Sequence, residues 1–325
     1  MKLKKLLAFL TALIICLSFS SCGEENYSSS EESSSKGGSS EINKEGPLLY
    51  KVTDENGNVI WLFGSIHVGR DDFYPLPDYV LDAFESSDSL AVEFDIVAFE
   101  NDEAALTDIF TMLVFSDGST IEDHIPKDLY DEAVEILKDN KTYGSYLDYF
   151  IPSLWTDLIN SFTYEEIDAD FDLGIDRHLI DLAYEKDKEV LDIESAEFQC
   201  GMTANYSMEL QIVLLESAVS DYYEPDKTKE ELEKTQDIWL KGDEKEFSDY
   251  LNQEKIFEDE EEERLYEEYN KAMLYDRNIN MADYAEDALL SGEEVFICVG
   301  AAHVVGEDAM VELLRERGYT VEIVR

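Results

Sequence analysis

Two tetrapeptides of one pattern, Gly64-Ser65-Ile66-His67 and Gly300-Ala301-Ala302-His303, put half of the chain's four histidines in the same local setting. With 16 glycines in 325 residues, a given His has roughly a 5% chance of a Gly three positions before it, and two of four by accident is on the order of 1%. Each imidazole is a good ligand for borderline divalent metals. A carboxylate from a neighbouring strand end completes a His-His-Glu set that keeps positions open for water and substrate. Such a site makes a water more acidic and polarises a carbonyl, while a second carboxylate shuttles the proton. Glu93 is the first candidate carboxylate and Glu194 the second, because each lies where a short apolar segment runs out. The plainer alternative is that both histidines hydrogen-bond loop backbone; the matched pair favours chemistry.

The elements around these residues explain how they can meet. Val59-Ile60-Trp61-Leu62-Phe63 leads into the first motif and Val295-Phe296-Ile297-Cys298-Val299 into the second, both apolar runs of the buried-strand kind. Small residues at the strand ends, Gly64 and Gly300, let the chain turn so that the imidazole projects over the sheet's carboxyl edge. Leu48 to Thr53 and Asn58 to Phe63 flank Glu55-Asn56-Gly57, a strong hairpin signal. Pro77 to Phe84 reads as a helix and Ser89 to Asp95 as the next strand. Mostly helical patterns follow from Phe99 to about Asn160 and from Glu194 to Asp287, the second including a long charged stretch from Lys241 to Arg277. Between them Glu189 to Ile193 reads as a strand. After Val299 come a helix from about Glu307 to Arg317, a Gly318 cap and a final strand Tyr319 to Val324. The expected fold is α/β, with a mixed central sheet built from N- and C-terminal segments and a large helical insertion at roughly 99–287.

Composition bounds the partners. Lys2, Lys4 and Lys5 precede an apolar stretch, Leu6 to Phe19, that is short for a membrane span, so residues 1–21 read as a secretory signal peptide. Phe19-Ser20-Ser21-Cys22 resembles a bacterial lipobox, which makes Cys22 the lipidated first residue of the mature chain and the membrane a partner through that anchor. Residues 22–45 are Ser-rich and read as a flexible tether; 46–325 form the folded part. Without the three leader lysines the charge is 22 − 76 = −54, which argues against nucleic acid as a partner. Cys200 and Cys298 remain as ordinary thiols, and no disulfide scaffold is implied.

Other features carry less. Asp168, Asp170, Asp172 and Asp176 crowd one segment, yet Leu173 and Leu179 stand where a calcium loop needs Gly and Glu. Asp176 reads as an ordinary N-terminal helix carboxylate, His124 as a pre-helix surface residue, and Glu258 to Glu263 as a solvated helix face. There is no GxSxG, HExxH or Gly-rich phosphate loop.

The ordered set Trp61 to Gly69, Ala91-Val92-Glu93-Phe94-Asp95, Gly174-Ile175-Asp176, Leu191-Asp192-Ile193-Glu194 with Gln199, Arg277-Asn278, and Val299 to Gly306 with Gly318-Tyr319 resembles the TraB/GumN family, to which the TIKI metalloproteases of animals are similar. The resemblance implies functional positions at His67, Glu93 and His303, with Glu194 and Arg277 as pocket residues, Arg277 toward a developing oxyanion. It implies peptide cleavage with a manganese- or cobalt-type ion; zinc suits the same donors. Ser195 stands where Thr commonly follows the Glu. The expectation is thus an extracytoplasmic, lipid-anchored, metal-dependent hydrolase acting on a peptide or small molecule. The alternative is a non-catalytic lipoprotein holding haem, a metal or a small ligand in the same pocket.

Overall fold

The computed structural model describes residues 46–325 other than positions 254 and 258. The expected leader and tether, Cys22 included, lie outside the described residues. At the Asn56-Gly57 turn, strands β1 (Leu49–Thr53) and β2 (Val59–Ser65) pair antiparallel, Leu49 opposite Phe63 and Thr53 opposite Val59. Gly57 has φ 89°, a region glycine enters without a Cβ clash. The carboxylate of Asp54 accepts from the N–H groups of Asn56 and Asn58 and closes the turn.

Helix α1 (Asp78–Ser86) then leads to β3 (Ser89–Val92), followed by α2 (Ile96–Phe99), α3 (Glu103–Met112), α4 (Lys127–Asp139), α5 (Pro152–Glu166) and α6 (Ile175–Glu185). Strand β4 (Glu189–Asp192) precedes α7 (Ala196–Ala204), α8 (Met208–Tyr223), α9 (Pro225–Lys241), α10 (Glu244–Leu251) and α11 (Glu260–Asn270). A π-helical turn, Lys271–Tyr275, runs into α12 (Asp276–Ser291), and the chain continues with β5 (Val295–Gly300), α13 (Ala301–Val304), α14 (Met310–Glu316) and β6 (Thr320–Val324).

The strand order is β4-β3-β5-β2-β1-β6. The four strands from β4 to β2 run parallel, while β1 lies antiparallel between β2 and β6. The expected mixed α/β sheet, with helices inserted between its N- and C-terminal segments, is what the chain forms. All residues of β3 and β5 are buried, whereas the edge strands β4 and β6 are largely exposed. This matches continuous apolar runs in the middle of a covered parallel sheet.

Two apolar clusters divide the residues. One gathers the sheet with α1, α6, Trp239, Phe247 and the apolar face of α12. The other packs α4, α5 and α8 around Trp155, joined by residues of α7, α11 and the π turn. From within the helical stretch, therefore, α6 and β4 belong to the sheet layer.

The charged stretch from Lys241 to Arg277, expected within a mostly helical pattern, forms α10, α11 and the π turn, with a break after Leu251. Asp259 caps the restart, its side chain accepting from the N–H groups of Glu261 and Glu262. The glutamate run is thus the first turn of α11, where negative charge is favoured by the unsatisfied N–H groups. Cys298 is buried in β5 as the apolar run implies.

Gly64 is required by space. A Cβ there would lie 2.9 Å from Ala301 Cα and 3.0 Å from its Cβ, where the backbone of α13 crosses β2. Gly64→Ala is expected to lower unfolding free energy by about 1–3 kcal/mol, read from the urea midpoint at unchanged m-value.

Candidate active site

Four parallel strands end on one edge, and each delivers a residue of the site. β2 runs into His67, β3 into Glu93, β4 into Glu194 and β5 through Gly300 into His303. Pairing persists past the strand ends: Ile193 N–H donates to Val92 O at 2.9 Å and Glu194 N–H to Glu93 O at 2.8 Å, which sets the two glutamates side by side. The loop carrying His67 is held by α9, whose Trp239 Nε1 donates to Gly64 O at 2.8 Å and whose Gln236 Nε2 donates to Val68 O at 3.0 Å.

Each imidazole is anchored through Nδ1. His67 Nδ1 lies 2.7 Å from Asp176 Oδ2, and His303 Nδ1 lies 2.7 Å from Asn278 Oδ1. Asn278 gives its amide N–H to Asp308 O at 3.0 Å, so its oxygen faces His303 and accepts from Nδ1. This leaves Nε2 as the lone-pair nitrogen of neutral His303. His67 Nε2 is buried without a hydrogen-bond partner. Gly300 sits between the groups: a Cβ there would be 3.2 Å from Glu93 Oε1, 3.5 Å from His67 Nε2 and 3.5 Å from His303 Cδ2. His303 Nε2 is 4.0 Å from Glu93 Oε1.

Glu93 is held as an anion. Its Oε1 accepts from Gly300 N–H at 2.8 Å, and its Oε2 from Arg277 Nη2 at 2.5 Å and Gln199 Nε2 at 2.9 Å. Burial opposes the charge, but Arg277, His303 and His67 outweigh it and hold the carboxyl far below the usual range. Arg277, which is buried, also meets Glu194 through Nε at 2.9 Å and Nη2 at 2.8 Å, and gives Nη1 to Met273 O in the π turn at 3.2 Å. Gln199 Nε2 bridges the two carboxylates, reaching Glu194 at 2.8 Å.

A cleft of about 60 Å³ opens beside this cluster, lined by Ser65, His67, Glu93, Asp176 and Cys298, with Phe94, Ile96 and Phe171 on its walls and Glu100, Asp172 and Arg177 also lining it. That is room for several waters. His303, Glu194 and Arg277 do not line it. All five residues expected at the site meet in one cluster, then, but only His67 and Glu93 face the cleft. Of the two motif glycines, Gly300 adjoins the imidazoles and Gly64 packs under α13.

Among the described residues, no three or more His, Cys, Asp or Glu side chains form a ready metal-holding group. The donors nonetheless suit a divalent ion in kind: the unpartnered Nε2 of His67, the Nε2 of His303 and the lone pair of Glu93 Oε1 not taken by Gly300. Asp176 and Asn278 are the outer partners such imidazoles require.

The sequence sets Asp176, Asn278 and Gln199 among the family-like motifs without assigning any of them a partner in the site. Asp176 stands at the start of α6 like any helix-favouring carboxylate, and Asn278 and Gln199 carried no spacing that ties them to a histidine or glutamate. His124 stacks on Phe115 at 4.3 Å and meets Ser119 at 2.7 Å, and His178 packs on Tyr74; neither lines the cleft.

The environments push the two imidazoles apart. Burial and Arg277 hold His303 down to about 3. For His67 burial opposes the proton, but Asp176 and Glu93 outweigh it and raise its pKa above the usual 6.5. In metal-free protein, the His303 ring resonances are expected to stay fixed from pH 8 to pH 4, and those of His67 to titrate above pH 6.5 by NMR.

The carboxyl edge of a mixed α/β sheet thus bears an anchored histidine pair and two ion-paired glutamates. The chain belongs to the TraB/PrgY/gumN family, whose model matches residues 48–323. It is similar to "Metalloprotease TIKI2" of Xenopus tropicalis, 23% identical over 306 residues that cover 81% of this chain and 57% of that relative. It is also similar to "Uncharacterized protein YbaP" of Escherichia coli (strain K12), 23% identical over 256 residues covering 78% of this chain and 87% of that one. No solved structure matches the chain.

Proposed function

We propose that the protein is a metal-dependent hydrolase of peptidase type, held outside the cytoplasm by a lipid on Cys22. The observation that carries the reading is the unpartnered, buried Nε2 of His67 in a cleft, with Asp176 behind it and Glu93 and His303 beside it. The similarity to a metalloprotease supports the metal and the peptide bond as target. His67, His303 and Glu93 would hold a manganese, cobalt or zinc ion, which supplies Lewis acidity and a more acidic water. Asp176 and Asn278 keep the imidazole lone pairs turned inward, and Arg277 with Gln199 keeps Glu93 charged and fixed in place. Glu93, held so strongly ionised, is a weak proton acceptor, and Nε2 of both imidazoles would be taken by the ion; the proton from the attacking water would pass to Glu194, or to Asp176, whose unpartnered Oδ1 belongs to a residue lining the cleft.

A second reading rests on the His67–Asp176 pair. A carboxylate behind Nδ1 raises the basicity of Nε2, so His67 can act as general base toward water directly. Turnover of fluorogenic peptides with and without chelator separates the two. Activity lost with chelator and restored by one of the three ions supports the proposed hydrolase; chelator-resistant turnover abolished by Asp176→Asn supports the general-base reading. No turnover, together with a Soret band on adding haem, would point to the non-catalytic binding lipoprotein instead.

A further inference from the structure

The charge balance around the cleft bears on what it accepts. Among the described residues, Arg177 is the one Lys or Arg lining it, against the carboxylates of Glu93, Glu100, Asp172 and Asp176. Glu93 shares Arg277 with Glu194, and Asp176 is paired with His67. Arg177 gives Nη2 to Glu100 at 2.7 and 2.9 Å and Nη1 at 3.3 Å, while its Nε reaches Asp172 at 3.4 Å. One guanidinium therefore serves two carboxylates. Partial burial, opposed by Arg177 and joined to a smaller degree by Asp172 and Asp181, leaves the Glu100 carboxyl raised above its usual range. Phe94, Ile96 and Phe171 line the same cleft. So does His67, nine-tenths buried and with Nε2 unpartnered, a group that a ligand would satisfy. The chain's formal net charge of −51 adds a field of the same sign.

We infer that the cleft takes substrates bearing a cationic group on an apolar stem, a Lys or Arg side chain of a peptide, with the charge seated at Glu100 and Asp172 and the stem against Phe94, Ile96 and Phe171. The cut itself rests on the hydrolase reading; the cation seat does not.

Two measurements on the whole chain keep them separate. Calorimetric titration with butylguanidinium, and with butyrate as the oppositely charged control, reads the seat. Internally quenched peptides that differ only by Arg, Leu or Glu at one position read the cut. Butylguanidinium is expected to bind and butyrate not, and Arg peptides to be cleaved roughly tenfold faster than Glu peptides, a ratio that shrinks at 0.5 M salt. Glu100→Gln and Asp172→Asn should each reduce that ratio and weaken butylguanidinium binding. Asp172, with an 89% exposed side chain, keeps the test valid if Glu100→Gln fails to fold. Equal cleavage of Arg and Glu peptides, or a preference unmoved by Asp172→Asn, overturns the seat and leaves the hydrolase standing; butylguanidinium binding without any turnover does the reverse.

Discussion

Arg277→Met is expected to lose about 3–5 kcal/mol of stability, because it strands two buried carboxylates that share one guanidinium. The side chains of Arg277, Glu93 and Glu194 are 1%, 6% and 5% exposed, so water cannot replace the lost partner. Chemical denaturation at pH 7 measures the loss, and Arg277→Met/Glu93→Gln/Glu194→Gln should recover part of it. The pH dependence carries the sharper sign. In the wild type the folded pKa of Glu93 is depressed, so its contribution is fully present above its unfolded value of 4.5 and fades as pH falls below that. In Arg277→Met the same carboxyl is buried without its cation and its folded pKa rises, so stability should increase as pH is lowered from 7 toward 5. A variant as stable as wild type at pH 7, or one that weakens on mild acidification, would contradict the ion-pair account.

His67→Ala and His303→Ala are each expected to lower peptide turnover by at least about a thousandfold. Combining them should cost little more, because residues that act as one unit do not add. Stability should suffer less than in Arg277→Met. Each ring is buried, and its removal leaves Asp176 Oδ2 or Asn278 Oδ1 without its hydrogen-bond partner, a cost of roughly 1–3 kcal/mol. Turnover at saturating peptide, measured beside urea midpoints for the same preparations, separates the chemical from the structural effect. Turnover above about a tenth of wild type in either variant would remove that imidazole from the reaction.

The parts of the site legible in the sequence were those that follow from local pattern. A repeated small-residue turn after an apolar strand marks His67 and His303, and alternation of strand and helix places Glu93 and Glu194 at neighbouring strand ends. The hairpin at Asn56-Gly57 is legible for the same reason, since turn chemistry is local. The partners that make the site work are contributed from far along the chain. Asp176 reaches His67 across 109 positions and Arg277 reaches Glu93 across 184, and no spacing rule links such pairs. Asn278 is set by α12, whose approach follows the π turn; Lys271 to Tyr275 shows no proline or glycine to announce it. The break after Leu251 escaped a periodicity reading because the flanking residues are charged and helix-favouring on both sides, and only the Asp259 cap distinguishes a new helix from a continued one.

Counting metal shows whether His67, His303 and Glu93 together hold one divalent ion. The chain is loaded with manganese, cobalt or zinc in turn, desalted, and its bound metal per chain determined by elemental analysis for wild type and for the His67→Ala/His303→Ala double variant. Close to one ion per chain is expected for at least one of the three metals in wild type, and near none in the double variant with its helical content retained. No bound ion in the wild type, or equal binding in both proteins, would contradict a shared ion site.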